Sequence, residues 1–229
     1  SGKSTLAKIC NALLIPTQGD CSVLGMNTSD ASSAAEIRRT VALVFQNPED
    51  QIVASIVEED IAFGPENLSL PSNEIRRRVD AAIEAVGLSD LRRRGAFALS
   101  GGQKQRLALA GALALEPRAL VLDESASMLD PEGRESFLSC LKGLKGRGMT
   151  IVQITHRMEE TTDSDRVVVI DAGRVAWDGS PNAFFDGEYM RWSFEEPPVV
   201  SLRRELLARG FLQENVPPDA ERMLRALCL

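Results

Sequence analysis

Short apolar runs and segments with helical spacing alternate along most of the chain. Apolar residues dominate three runs, Val41–Phe45, Ala119–Leu122 and Thr150–Thr155. Runs of this kind are typical of strands buried on both faces of a parallel sheet. Between them, apolar residues recur at helical spacing, as they do over 75–86 before Gly87. The alternation predicts an α/β fold built on a parallel sheet.

The segments on either side of the first run give two more specific predictions. Residues 6–14 have helical spacing, and Pro16 is expected to stop that helix. After the run, Pro48 excludes a continuous helix from the strand, while Glu49–Asp60 is predicted to form a short acidic helix on the surface. The alternative is a solvated acidic loop, because charged runs usually lie in solvent.

The pattern changes towards the C-terminus. Arg166–Ile170 and Gly173–Trp177 flank a turn and predict a β-hairpin. The composition shifts near residues 195–198, which suggests a linker. Two small amphipathic helices are predicted beyond it, Ser201–Arg209 and Asp219–Leu227. Helices this short cannot bury a core alone, so we expect them to pack on the rest of the chain or on a second subunit.

The chain begins with the tail of a phosphate-binding loop, G-x-x-x-x-G-K-[ST], in the order Ser1, Gly2, Lys3, Ser4 and Thr5. In such a loop the Gly2 and Lys3 amides face phosphate oxygens, the Lys3 ammonium bridges the β- and γ-phosphates, and Ser4 ligates Mg²⁺. The first glycine of the loop and its feeding strand would precede Ser1, so we expect the sequence to be N-terminally truncated. The alternative is a chance match before an ordinary helix.

A second candidate site lies between Leu99 and Glu124. Ser100, Gly101 and Gly102 stand where a helix is predicted to begin, and the unpaired amides of a helix N-terminus suit an anion. Asp123 and Glu124 follow a buried strand, at the sheet edge where α/β folds bind ligands. A carboxylate there can hold Mg²⁺ or polarise water. The alternative is a glycine-rich turn followed by an ordinary core strand.

Together these residues resemble the nucleotide-binding domain of ATP-binding-cassette (ABC) proteins, a P-loop NTPase fold. The resemblance covers about residues 1–190. The motifs match in order the Walker A, Q-loop, signature, Walker B, D-loop and switch-histidine positions of that family, at Ser1–Thr5, Gln46, Leu99–Gln103, Asp123-Glu124, Asp130 and His156.

The resemblance implies an ATPase that uses ATP and Mg²⁺. Asp123 would complete the metal shell together with Ser4 and Gln46, and Glu124 would act as the base or orient the attacking water. Gln46 and His156, the only histidine in the chain, would sense the γ-phosphate. Read alone, a glutamine at a strand end is usually a surface amide, and a lone histidine is usually structural.

The resemblance also implies two shared sites in a head-to-tail dimer. Ser100, Gly101, Gly102 and Gln103 of one cassette would close over the ATP held by the other. Asp130 would communicate across the dimer, and it is also a natural N-cap for the helix that follows. The partner would be an identical copy or a sister ATPase.

The stretch after Gln46 narrows the resemblance to energy-coupling-factor ATPases, whose characteristic insert is similar to Asn47–Gln51 and Val57–Pro65. The resemblance implies a helical subdomain at about 47–100 and a small C-terminal helical extension at 191–229 that contacts the second ATPase. It further implies uptake of a vitamin or a transition-metal ion at the cytoplasmic face of the membrane. That uptake would require an integral-membrane scaffold subunit and a substrate-binding membrane subunit.

Composition agrees with this interpretation and restricts the alternatives. A hydrophobic fraction of 44% is normal for a globular chain, and a net charge of −7 argues against a nucleic-acid surface. Chromosome-maintenance ATPases would carry a long heptad-rich insert before the signature, and translation factors would carry two cassettes. Another ABC importer or exporter is the alternative that remains. Two arginine clusters, 76–78 and 92–94, are assigned no function.

Overall fold

The computed structural model describes residues 1–213 and 215–228; Glu214 and Leu229, which fall in the predicted extension, lie outside the described residues. The chain forms two compact units. The larger is Ser4–Ile154, and the smaller is Thr155–Leu229 together with Ser1–Lys3.

The larger unit contains a parallel sheet and a group of helices. Its elements in chain order are α1 (Lys3–Cys10), β1 (Ser22–Val23), β2 (Met26–Asn27), α2 (Ala34–Thr40), β3 (Val41–Val44), α3 (Val57–Asn67), α4 (Ser72–Ala85), α5 (Gly101–Leu113), β4 (Ala119–Asp123), α6 (Pro131–Gly146) and β5 (Thr150–Ile154). The first residue of α1, Lys3, is assigned to the smaller unit. The smaller unit contains β6 (Val167–Asp171), β7 (Arg174–Gly179), α7 (Pro181–Phe185), α8 (Pro198–Ala208) and α9 (Ala220–Leu227).

The predicted parallel sheet is confirmed. Strand β4 lies between β3 and β5, with Val41 opposite Ala119 and Ala119 opposite Thr150. Because successive side chains of a strand point to opposite faces of the sheet, the odd- and even-numbered side chains of β3 pack in two different hydrophobic cores. Leu43 packs on the face covered by α1, and Val44 packs with the helices of the opposite face. The sheet is therefore covered on both faces, as its apolar runs require.

The first helix ends earlier than the sequence predicts. The apolar spacing continues to residue 14, but α1 stops at Cys10, and Leu13 and Leu14 are exposed. Ala12 adopts a positive φ of 55°, which a helix cannot continue through. The buried Asn11 side chain donates to the Val41 carbonyl and ties the helix end to the sheet. This tertiary hydrogen bond overrides the local periodicity.

The acidic helix predicted over Glu49–Asp60 is also wrong. The segment makes a single 3-10 turn at Pro48–Asp50, and α3 begins at Val57. The buried Asp60 carboxylate accepts the Val53 and Ala54 N–H groups at 2.7 and 2.8 Å, which holds the chain before α3 outside the helical conformation. Burial raises the pKa of Asp60, and these backbone hydrogen bonds oppose that rise.

The arginine cluster on α4 has a structural role. Arg77 pairs with Glu74 at 2.6 Å and with Glu116 at 2.7 Å, and Arg78 pairs with the same two carboxylates at 2.8 and 3.0 Å. These pairs connect α4 to the segment after α5. The Arg77 hydrogen bond lowers the pKa of Glu74 to about 2, with a further contribution from Arg78.

The smaller unit has an aromatic core. Strands β6 and β7 form the predicted antiparallel hairpin, with an irregularity between Val169 and Ile170. Phe184 of α7 is fully buried, and its ring centroid lies 5.0 to 6.4 Å from those of its aromatic neighbours Trp177, Phe185, Tyr189, Trp192 and Phe194. Helices α8 and α9 confirm the predicted helical segments; Leu202 of α8 is 53% exposed.

Candidate nucleotide site

Several of the candidate polar side chains meet at the carboxyl edge of the parallel sheet. Ser4, on α1, donates its hydroxyl hydrogen to Asp123 Oδ1 at 2.9 Å. Asp123 is the last residue of β4 and is buried, whereas Ser4 is exposed. A hydroxyl oxygen and a carboxylate oxygen are thus adjacent, although the two residues are distant in sequence.

Gln46 and Glu124 also meet at this edge. The Gln46 side-chain amide donates to Glu124 Oε2 and to Ser127 Oγ, both at 3.4 Å. Glu124 has a positive φ of 48°, and its N–H donates to the Ile154 carbonyl at 3.0 Å. The backbone therefore turns sharply at the end of β4 while it stays attached to β5. At 3.4 Å, both contacts of the Gln46 amide are longer than the usual protein hydrogen bond.

At the start of the chain, a glycine with a left-handed backbone conformation directly precedes the first helix. Gly2 has a φ of +90°, which L side chains rarely adopt, and α1 begins at the next residue, Lys3. The Lys3 ammonium donates to Ser1 Oγ at 2.9 Å. Ser1, Gly2 and Lys3 belong to the smaller unit, and Ser4 and Thr5 belong to the larger one.

His156 belongs to the smaller unit as well. It is exposed and follows the end of β5 by two residues. The sequence predicts its position at a strand end, and its role stays a prediction.

The signature residues form the N-terminus of α5. Ser100 is the N-cap: its hydroxyl accepts the Gln103 N–H at 3.3 Å, and the Gln103 side chain accepts the Ser100 N–H at 2.9 Å. This reciprocal capping leaves the early amides of the helix facing outward. A Cβ placed on Gly101 would meet no atom within 4 Å, whereas one on Gly102 would lie 3.2 Å from Gly133 Cα.

Gly133 belongs to the first turn of α6, which Asp130 caps by accepting the Gly133 N–H at 3.0 Å. The predicted N-cap role of Asp130 is therefore confirmed. Because Gly102 and Gly133 approach closely, the N-termini of α5 and α6 pack against each other through glycine backbone. The two glycines of the signature consequently differ: a side chain at Gly101 would enter open space, whereas a side chain at Gly102 would press against Gly133.

The side-chain oxygens at the sheet edge are suitable ligands for a Mg²⁺ ion that is also bound by phosphates. Ser4, Asp123 and Gln46 provide hydroxyl, carboxylate and amide oxygens, which are the hard ligands that Mg²⁺ prefers. Within residues 1–213 and 215–228, no group of three or more His, Cys, Asp or Glu side chains is placed to hold a metal ion. Mg²⁺ that is bound with nucleotide phosphates usually takes only one or two protein carboxylates, and the single Asp123 carboxylate beside the Ser4 hydroxyl fits that pattern.

Two serines that sequence reasoning did not single out support the site. Ser125 is buried and donates to the Val44 carbonyl at 3.4 Å, which links the ends of β3 and β4. Ser127 is the second acceptor of the Gln46 amide. Both follow Glu124 closely in the chain, and that proximity is the only signal in the sequence that could have found them.

Comparisons with known proteins agree on one family. The family model described as ABC transporter matches residues 1–127. The energy-coupling factor transporter ATP-binding protein EcfA1 of Caldanaerobacter subterraneus subsp. tengcongensis is 48% identical over the whole chain, which covers 83% of that relative. EcfA of Methanosarcina acetivorans is 47% identical over 92% of this chain and 77% of its own length.

Solved structures give the same result. One is the structure of cbiO1 from Clostridium perfringens, described as part of the ABC transporter complex cbiONQ; it has a TM-score of 0.74 and 33% identity, covering 89% of this chain and 83% of that one. Another is a dimeric post-hydrolysis state of the ATP-binding cassette MJ0796 bound to ADP and Pi, with a TM-score of 0.69 and 28% identity over 78% of this chain and 80% of the other. Among the described residues, no helix is long and apolar enough to cross a membrane.

Proposed function

The chain belongs to the ABC transporter family, and from this premise we propose that it is the ATP-hydrolysing subunit of an energy-coupling-factor importer for a vitamin or a transition-metal ion. The observation that supports this most strongly is the 48% identity to an energy-coupling-factor ATP-binding protein along the whole chain. The cluster of Ser4, Gln46, Asp123 and Glu124 at one sheet edge supports hydrolysis as the activity.

The phosphate end of ATP would bind at the start of α1. Ser1, Gly2 and Lys3 would contact the phosphates through backbone amides and the Lys3 ammonium, with Thr5 beside them, because the N-terminus of a helix favours anions. Ser4 and Asp123, 2.9 Å apart, would hold Mg²⁺ together with Gln46. Bound Mg²⁺ neutralises the charge that develops on the phosphates during transfer.

Glu124 would orient the attacking water or accept its proton. Its carboxylate lies at the carboxyl edge of the sheet, one residue after Asp123, and Gln46 Nε2 is 3.4 Å from it. Gln46 would therefore restrain the Glu124 carboxylate and respond to the γ-phosphate. His156 takes its proposed role, contact with the γ-phosphate, from the family motif. Such groups accelerate phosphoryl transfer mainly by position and electrostatics.

The second half of each site would come from another cassette. Ser100, Gly101, Gly102 and Gln103 form a capped helix N-terminus, and the open space at Gly101 allows a phosphate to approach the backbone closely. Asp130 caps α6 beside this helix and would mediate communication between the two cassettes of the dimer. The second cassette would be an identical copy or a sister ATPase, contacted also by the extension at 191–229.

Force would pass to separate membrane proteins. We propose that this subunit binds peripherally at the cytoplasmic face of the membrane to an integral-membrane scaffold, which carries a substrate-binding membrane subunit. The structure of cbiO1, described as part of a transporter complex, supports such an assembly. Co-purification with a small membrane scaffold and a separate substrate-binding membrane subunit is expected. A periplasmic-type binding protein among the partners would favour an ordinary ABC importer instead.

Complementation tests the shared site. A Lys3→Ala chain lacks its phosphate-binding ammonium, and a Ser100→Arg chain carries a blocked signature. In a mixed dimer of the two, one site combines both changes and the other has neither. Mixing the inactive variants is therefore expected to recover hydrolysis, at one site per mixed dimer. No recovery in mixtures that do dimerise would contradict a site shared between cassettes.

A further inference from the structure

The backbone immediately before Gln46 is held by two side-chain amides. The register between β3 and β4 ends at Val44, so Phe45 lies beyond the paired strands. The Phe45 carbonyl accepts Gln105 Nε2 at 3.1 Å, and the Phe45 N–H donates to Gln51 Oε1 at 3.3 Å. Both polar groups of this residue are thus bound by glutamine side chains in place of a neighbouring strand.

Both glutamines connect Phe45 to helix α5. Gln105 is itself a residue of α5, and Gln51 donates its side-chain N–H to the Ala108 carbonyl of the same helix at 3.3 Å. Lys104, next to Gln105, pairs with Glu49 in the turn that follows Gln46. The segment containing Gln46 is therefore attached to α5 both before and after that residue.

Gln105 occupies a position that an apolar residue would normally fill. It is 1% exposed, and residues 107–110 of the same helix are buried and apolar. Burying an amide is costly unless it forms a hydrogen bond. The Phe45 carbonyl supplies that partner, so this amide is satisfied by holding the end of β3. Gln105 follows the Ser100 cap by five helix positions, about 7.5 Å along the axis.

We propose that Gln105 and Gln51 are positioning residues, which transmit the position of α5 to Gln46 and so set its amide against Glu124. The inference rests on the proposed function of Gln46. The N-terminus of α5 is the part that would meet a nucleotide held by the second cassette. A shift of α5 moves the two amides that hold Phe45, and Gln46 is the next residue. Nucleotide engagement at the signature therefore alters the position of the Gln46 side chain near Glu124.

Steady-state ATP hydrolysis by the assembled transporter complex tests this. Gln105→Met keeps the length and burial of the side chain and removes the donor to Phe45. We expect kcat to fall on the order of tenfold, because small misplacements of catalytic groups cost this much or more. The KM for ATP is expected to change by less than about twofold, since Ser1–Thr5 and Asp123, which would supply most of the contacts to phosphate and Mg²⁺, are untouched.

Arg106→Met is the matched control on the same helix. Its guanidinium donates to the Val86 carbonyl at 3.5 Å, at the end of α4, and has no part in holding Phe45. This variant is expected to keep the wild-type kcat. An equal loss of kcat in Gln105→Met and Arg106→Met would overturn the proposal, because it would show a general effect of loosening α5. If Gln105→Met does not fold, Gln51→Met removes the other half of the clamp and carries the same expectation.

A double-mutant cycle with Gln46 separates positioning from a merely structural role. If Gln105 acts through Gln46, adding Gln105→Met to Gln46→Ala is expected to lower kcat no further. Losses that multiply would overturn the inference. A slow Gln46→Ala variant alongside a fully active Gln105→Met variant would also overturn it, and would leave the proposed function intact. A fully active Gln46→Ala variant would instead contradict the proposed role of Gln46 itself.

Discussion

Adding a single methyl group to each signature glycine is expected to have opposite effects on stability. At Gly101, a Cβ meets nothing within 4 Å. Replacing Gly by Ala at such a compatible position stabilises a protein by about 0.4–1 kcal/mol, because the unfolded chain loses freedom. Gly101→Ala is therefore expected to unfold at a slightly higher temperature than the wild type.

At Gly102 the same methyl is in a tight contact, and its neighbour must shift by a few tenths of an ångström to admit it. Its Cβ would lie 3.2 Å from Gly133 Cα, a backbone atom that cannot rotate away. Overpacking of this kind typically costs about 1–3 kcal/mol. After the gain from reduced unfolded-state freedom, Gly102→Ala is still expected to be less stable than Gly101→Ala. Urea unfolding of the two purified variants measures this difference directly.

Gly101→Ala is expected to lose ATPase activity without losing stability. A methyl there projects from the helix N-terminus that we propose faces the second cassette's nucleotide. Loss of one such contact typically costs about 10²–10³ in rate, so Gly101→Ala is expected to be stable and nearly inactive in the assembled complex. Full activity of Gly101→Ala would refute the proposed contact. Equal stability of the two variants would refute the argument from the approach of Gly102 to Gly133.

Two further predictions concern stability away from the site. Asp60→Ala leaves the Val53 and Ala54 N–H groups without their acceptor. Its free energy of unfolding is expected to fall by up to about 1–3 kcal/mol for each unpaired N–H group. Asp60→Asn keeps an acceptor oxygen, so its free energy of unfolding is expected to fall less in the same urea titration. Glu74 has a pKa lowered to about 2 by Arg77, so its stabilising effect is present above its ordinary pKa and is lost as the pH falls through about 2. The stability gap between wild type and Glu74→Gln is therefore expected to close in acid; a gap that stays constant would contradict the ion pair.

The sheet and its helices could be predicted because their signals are local. The apolar runs of β3, β4 and β5 identify strands buried on both faces, and the turn residues around β6 and β7 identify a hairpin. The end of α1 could not be predicted in the same way. It depends on Asn11 bonding the Val41 carbonyl, a contact between residues that no periodicity relates.

The candidate site shows the same division. Motif spacing identifies Ser4, Asp123 and Glu124 as candidates, but the 2.9 Å contact of Ser4 with Asp123 requires the fold that brings α1 to the end of β4. Gln105 was missed because a glutamine within a helical pattern is usually a surface residue. Its burial and its bond to the Phe45 carbonyl depend on how α5 packs against the end of β3.

We propose that Glu124 supports ATP hydrolysis in a dimer of cassettes, and the rate of phosphate release by a Glu124→Gln variant tests this role most directly. Glu135→Gln, at an exposed position of α6, is the matched control and is expected to behave as wild type. The Glu124→Gln protein is expected still to bind ATP and to dimerise with it, while its rate of phosphate release falls by about 10²–10³. Phosphate release by Glu124→Gln at the wild-type rate would contradict the proposed role of Glu124 in hydrolysis.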